Sequence, residues 1–237
     1  SGLSSYLVTQ QLLNVLHKYG INVVLDVGAN KGQYARMLRQ GGYRGHIVSF
    51  EPVRREFETL SRRAANDPQW AVHQLALGST DGSIEMNVVP GTLSSALPAS
   101  DYGRQRYDKL AGATVETVPV RRLDGILDDL LAHVPDPRPY LKLDTQGLDL
   151  EVFAGLGDRA QDFVGMQSEM ALLRLYEGMP RLPEALAAYE AAGFEVAGMY
   201  LVTGERRTAR ALEFDCIMVR ADAMPQLASG VSAATPS

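Results

Sequence analysis

The sequence predicts a doubly wound, mostly parallel α/β domain with a Rossmann-like sheet, and three observations predict it. Short, nearly all-apolar runs alternate with segments whose apolar residues recur at helical spacing, the pattern of strands buried on both faces and joined by crossover helices. The glycine-bearing turn Asp26-Val27-Gly28-Ala29-Asn30-Lys31-Gly32 follows the first such run at once and opens the next helix. The 237 residues, 46% of them hydrophobic, match one domain with one core. The boundaries read as a helical segment over 1–20, the α/β domain over 21–220, and a flexible tail of small and polar residues over 221–237.

Leu12, Leu13 and Leu16 lie at helical spacing before Gly20, so residues 5–19 read as an amphipathic helix with a glycine cap. Val23 to Val27 is the first strand, and Tyr34, Met37 and Leu38 stripe the helix that Gly41-Gly42 stops. The unit repeats as Ile47 to Pro52, a helix carrying Phe57, Leu60 and Ala64, and a strand from Trp70 to Leu77. Asp81-Gly82 then reads as the turn of an extra hairpin joining Leu75-Ala76-Leu77 to Ile84–Val89. From Pro90 to Thr114 no period holds, which reads as a long functional loop. Winding resumes with strands Val115–Val120, Tyr140–Asp144 and Phe163–Met170, with helices near Leu123–Leu131 and from Asp149 between them. A last helix through Leu182 and Tyr189 ends at Gly193, and the runs Phe194–Val202 and Leu212–Val219 pair antiparallel.

Composition excludes several classes. The 23 basic and 28 acidic side chains, net charge −5, are spread along the chain, and pairs such as Arg54-Arg55 and Arg206-Arg207 are too scattered to displace counterions from phosphates, so nucleic acid is not expected as a partner. Cys216 is the only cysteine, which forbids an internal disulfide and fits a reducing cytoplasm. No apolar run approaches the ~20 residues of a membrane span.

The glycine turn and an acid beyond it carry the first functional signal. A strand running into a glycine turn and a helix start lets backbone N–H groups approach a carboxylate or phosphate. Gly28 and Gly32 stand farther apart than the first two glycines of a dinucleotide fingerprint, and Asp26 just before them repels pyrophosphate. That favours a ligand bringing its own ammonium group, such as the methionine end of S-adenosylmethionine, whose carboxylate meets the loop's N–H groups. Glu51 ends the second strand, where an acid accepts both hydroxyls of a ribose.

These motifs resemble the FkbM-type methyltransferases, class I S-adenosylmethionine-dependent O-methyltransferases. The resemblance runs from about Leu12 to Arg220 and rests on Leu25 to Tyr34, Phe50-Glu51-Pro52, Ala76-Leu77-Gly78, Ser94-Ser95, Leu141 to Gly147, Glu169 to Gly178 and Phe214-Asp215-Cys216. Lys142-x-Asp144-x-x-Gly147 in that order is what points to this family. It implies a seven-stranded sheet with one antiparallel strand, and methylation of a hydroxyl on a sugar, glycolipid or polyketide-like metabolite. The implied cofactor residues are Asp26, Gly28, Ala29, Asn30, Gly32, Tyr34, Glu51, Pro52, Ala76 and Ser95. Asp149 stands where the family usually has Glu, and it receives no chemical role beyond a helix cap.

Lys142 and Asp144 share one face of their strand, and Gln167 and Glu169 repeat the parity on the next. If those strands are neighbours, four polar groups converge at the carboxyl edge where open α/β sheets bind ligands. Asp144 is the first choice for general base, with Lys142 and Glu169 beside it, or else Lys142 and Glu169 form a buried structural pair. Asp144 and Glu169 are also candidate ligands for a divalent metal, although no dedicated cage is visible. His17, His46, His73 and His133 receive no role, and Met166, Met170 and Met179 read as core. Two alternatives stand beside this reading: a non-catalytic S-adenosylmethionine-binding module, and an NAD-binding oxidoreductase, which the glycine spacing opposes.

Overall fold

A computed structural model of the chain describes residues 2–223 and 225 apart from 90, 92, 108, 109, 111, 206 and 207, with the side chains of residues 2–5 outside the description. The expected tail from residue 226 onward and the Arg206-Arg207 pair therefore lie outside the described residues.

The main sheet has seven strands in the order β3-β2-β1-β7-β8-β10-β9. They are β1 (Val23–Val27), β2 (His46–Phe50), β3 (Trp70–His73), β7 (Pro139–Leu143), β8 (Gly165–Ala171), β9 (Phe194–Glu205) and β10 (Arg210–Arg220). All neighbours pair in parallel except at β10, which runs antiparallel to both β8 and β9, so a single reversed strand joins six parallel ones. The winding changes direction between β1 and β7, and it is there that loops diverge and leave a crevice at the carboxyl edge.

Apolar character on both faces of the central strands fixes which helices cover them. Val23, Leu25, Val27, Leu141 and Leu143 point into one core with residues of α5 (Leu127–Leu131), α6 (Asp149–Ala154) and α7 (Leu182–Ala191). Val24, Ile47 and Tyr140 point into the other, against α1 (Gly2–Lys18), α2 (Gln33–Gln40) and α3 (Arg54–Ala64). On that second face the register aligns Ser49, Asp26, Lys142 and Gln167 across β2, β1, β7 and β8. A polar row thus crosses the sheet one step before the ends of β1, β2 and β7.

Two parts of the predicted winding are corrected. Trp70–Leu77 is two strands: β3 stays in the main sheet, while β4 (Ala76–Leu77) leaves for a three-stranded sheet of order β4-β6-β5. There is no β4–β5 hairpin at Asp81-Gly82; β5 (Gly82–Val88) pairs antiparallel along its length with β6 (Thr114–Arg121), and β4 pairs β6 in parallel. A two-residue β4 offers too little ladder to compete with the full-length match, and Val53, Met86 and Val118 form a small core that fixes the register. The segment Val115–Val120 therefore belongs to this cap instead of the main winding. The long loop between them contains α4 (Asp101–Arg106).

Candidate active site

The β1–α2 loop needs its glycines. Gly28 and Gly32 take φ of 76° and 78°, a region that favours glycine. A Cβ on Gly28 would also stand 2.0 Å from the Asp144 carbonyl oxygen, so the tips of β1 and β7 touch at that point. Contrary to the expectation that the loop's N–H groups meet a ligand carboxylate, they are already engaged within the protein. Gly28 and Ala29 donate to the Phe50 carbonyl, Asn30 to Glu51 Oε2 at 2.7 Å, Lys31 to the Gln33 side chain, and Gly32 to the Ala29 carbonyl. Gln33 and Tyr34 of the first turn of α2 line the cavity, and in a helix's first turn the N–H groups lack intrahelical partners.

Glu51 is buried, and its two oxygens accept from the N–H groups of Asn30 and Val53 (2.9 Å). Each oxygen keeps a lone pair for a ligand. Burial raises its pKa to about 7, against the pull of those two hydrogen bonds.

Asp26 is placed differently from the expectation that it meets a ligand's ammonium group. It is fully buried behind the cavity, where Oδ1 lies 3.0 Å from Lys142 Nζ and Oδ2 accepts from Ser49 Oγ. Lys142 also lies 3.6 Å from Asp144 Oδ2 and donates to the Gly28 carbonyl. Burial works against the Lys142 cation, but Asp26 and Asp144 outweigh it and raise its pKa above the usual value. The buried partner of Lys142 is therefore Asp26 and not Glu169.

Glu169 joins the site through Gln146. The Gln146 amide donates to Asp144 Oδ1 (2.9 Å) and Glu169 Oε2 (3.3 Å), and holds two carboxylates side by side. Across the β8–β10 ladder, Asp215 stands opposite Glu169 and accepts from Gln167, which in turn accepts from the Tyr34 hydroxyl. Burial and then the neighbouring acids Asp144, Glu213 and Asp215 raise the Glu169 pKa well above the carboxylate range. Glu213 and Asp215 are raised too, burial again coming first. The Asp149 carboxylate accepts from the Thr145 N–H and hydroxyl and from Ser168, and so ties the β7–α6 loop to β8 instead of capping its own helix.

These groups surround one cavity of about 440 Å³. Of the residues read from the sequence, Gly28, Ala29, Asn30, Tyr34, Glu51, Pro52, Ala76, Lys142, Asp144 and Glu169 line it. Asp26, Gly32 and Ser95 stand behind the wall; Ser95 donates to the Gln146 carbonyl (2.7 Å) and so supports the amide that bridges the acids. Residues the sequence reading gave no role also line it: Glu56, Gln146 and Asp215. For Asp215 the signal was an acid inside the apolar strand run Phe214 to Val219. Five carboxylates face the cavity and its one lysine is already paired, so the donor set fits a ligand with net positive charge and hydroxyls to donate. Among the described residues no group of three His, Cys, Asp or Glu side chains is spaced to hold a metal, and none of the described helices is long and apolar enough to cross a membrane.

The model of the methyltransferase FkbM domain matches residues 26–196. Methyltransferase 1 of Beauveria bassiana is 28% identical over 184 residues, 73% of this chain and 72% of that protein. Methyltransferase sdnD of Sordaria araneosa is 23% identical over 197 residues, 73% of each chain. A solved structure of methyltransferase FkbM from Methylobacillus flagellatus, 16% identical, aligns with a TM-score of 0.49 over 83% of this chain and 43% of that one, so this chain spans less than half of that protein's length. With more than half of its residues matched by the family model, the chain belongs to the FkbM methyltransferase domain family.

Proposed function

We propose that this protein transfers the methyl group of S-adenosylmethionine to a hydroxyl oxygen of a sugar, glycolipid or polyketide-like acceptor. The observation that carries the reading is one cavity whose wall joins Glu51 and the Gly28–Asn30 loop to the Asp144, Gln146 and Glu169 cluster. Glu51 would accept the ribose hydroxyls, the first turn of α2 would receive the methionyl carboxylate, and the surrounding acids suit the net positive charge. When bound, the cofactor supplies an electrophilic methyl carbon on its sulfonium.

The chain's own work is to orient the acceptor hydroxyl and take its proton. Asp144 is the residue for this: its side chain is 38% exposed toward the cavity and is held by Gln146 on one oxygen and faced by Lys142 on the other. The Lys142 charge would also stabilise the negative charge that develops on the acceptor oxygen. Glu169, whose pKa burial and the neighbouring acids raise, shares the Gln146 amide with Asp144. Val8, Leu12 and Val202 line the cavity from α1 and β9 and provide apolar surface for an acceptor.

Incubation with labelled S-adenosylmethionine and a panel of hydroxylated acceptors tests the reading. Label transfer to oxygen is expected, and Asp144→Asn should lower turnover by about 10²–10⁴-fold with cofactor affinity changed only a few-fold. Label on nitrogen or carbon would overturn O-methylation. Undiminished turnover in the variant would remove Asp144 as base, and tight cofactor binding without transfer to any acceptor would favour a non-catalytic module.

A further inference from the structure

Glu56 carries a feature that the methyl transfer itself does not use. It is the third residue of α3, only 2% exposed, on the cavity wall, and its Oε2 atom has no hydrogen-bond partner among the described residues. A glutamate at this helix position ordinarily turns back to the N–H of the capping residue. Here that N–H belongs to Val53 and is already given to Glu51 Oε1 at 2.9 Å. The nearby Arg54 guanidinium is directed at Glu58, and Lys142 at Asp26 and Asp144. A buried carboxyl oxygen without a donor is costly, so the position fits a donor that arrives with a ligand.

The surroundings narrow that donor. The cavity wall around the start of α3 is made of Pro52, Val53, Ala76, Leu77 and Met86, an apolar slot suited to a flat ring. Glu51, five residues earlier, is near enough for the Glu56 charge to raise its pKa. A ribose held at Glu51 would therefore place its base toward Glu56. Resting on the reading that S-adenosylmethionine occupies this cavity, we propose that Glu56 reads the base of the cofactor: its carboxylate accepts a hydrogen bond from the exocyclic amino group of adenine. The site then selects a 6-amino over a 6-oxo purine, because a carbonyl at that position would meet an acceptor with an acceptor.

Calorimetric titration of the full chain with S-adenosylhomocysteine and S-inosylhomocysteine tests this without turnover. The wild-type protein should prefer the adenosyl ligand by about tenfold or more. In Glu56→Gln, whose amide can donate to a 6-oxo group, that preference should shrink or reverse, with circular dichroism confirming the fold. Equal affinities in the wild-type protein, or an unchanged ratio in a folded Glu56→Gln, would overturn the role of Glu56 and leave the cofactor reading intact. Failure of the wild-type protein to bind S-adenosylhomocysteine would instead remove the cofactor reading on which it rests.

Discussion

At the tips of β7 and β8 two carboxylates, Asp144 and Glu169, are kept together by one neutral donor, the Gln146 amide. Gln146 holds a positive φ of 53°, its carbonyl is fixed by Ser95, and its side-chain oxygen faces the Tyr176 hydroxyl. The arrangement predicts that Gln146→Ala frees Asp144 to rotate and lowers turnover by up to about 10²-fold, with cofactor affinity nearly unchanged; steady-state kinetics with parallel calorimetry check the split. Glu51 gives a pH prediction. Its pKa, raised to about 7, means that near pH 6.5 much of it carries a proton, while ribose hydroxyls donate best to the ionised form. Cofactor affinity should therefore rise as pH climbs through about 7, with proton release on binding. Titration in buffers of different ionisation enthalpy measures that release, and Glu51→Ala should weaken binding and reduce it together. Lys142, Asp144 and Glu169 were legible because strand parity alone puts them on one face at one edge. Gln146, Glu56 and Asp215 were not, because their approach depends on a left-handed loop residue, a helix entry and the register of β10.

At the scale of elements, the crossing of the β1–α2 and β7–α6 loops sets the site. Gly28→Ala would force a Cβ to within 2.0 Å of backbone at a positive φ, and no flexible side chain is there to yield. The variant should lose cofactor binding and melt well below wild type, whereas Gly125→Ala, whose nearest neighbour is 3.8 Å away, should leave both unaffected; thermal melts with and without S-adenosylhomocysteine separate the two. The strand that carries this loop was readable to the residue, since a short, nearly all-apolar run leads straight into the glycine turn, and the structure buries all five positions of Val23–Val27. The β4–β6 cap was misread because local turn chemistry at Asp81-Gly82 says nothing about a partner more than thirty residues away. Asp81 serves a different purpose: its carboxylate accepts from the Arg122 N–H and fastens the end of β6. Pairing between distant segments is decided by ladder length and by the Val53, Met86 and Val118 core, neither visible in a local window.

For the molecule as a whole, the site is a concentration of buried acids within a fold that would be more stable without their charges. Burial comes first among the causes that raise Glu51, Asp149, Glu169, Glu213 and Asp215. A carboxyl raised in the fold binds its proton more tightly there than in the unfolded chain. Its destabilising contribution is absent below the unfolded pKa and develops as pH rises toward the folded one, a window of about 4.5 to 7 for Glu51. The acids lowered by hydrogen bonds and charge, Asp67, Asp124 and Asp222 by an arginine side chain first and Glu184 by the Arg181 N–H and then Arg174, act oppositely but in partly or fully solvated positions and at more acid pH, where they contribute little. The ligand-free protein should thus lose stability between about pH 5 and pH 8. A cationic ligand would offset the loss, because its affinity grows over the same range. Glu169→Gln isolates the effect, since its oxygen can still accept from Gln146 while the charge is gone. The variant should melt higher than wild type at pH 8 and near wild type at pH 5, and S-adenosylmethionine, which carries the sulfonium charge, should stabilise the wild-type protein more at pH 8 than at pH 6. Differential scanning calorimetry across that range checks both, and a wild-type melting temperature that climbs from pH 5 to pH 8 in the absence of ligand would show that the buried acids do not govern the fold's response to pH.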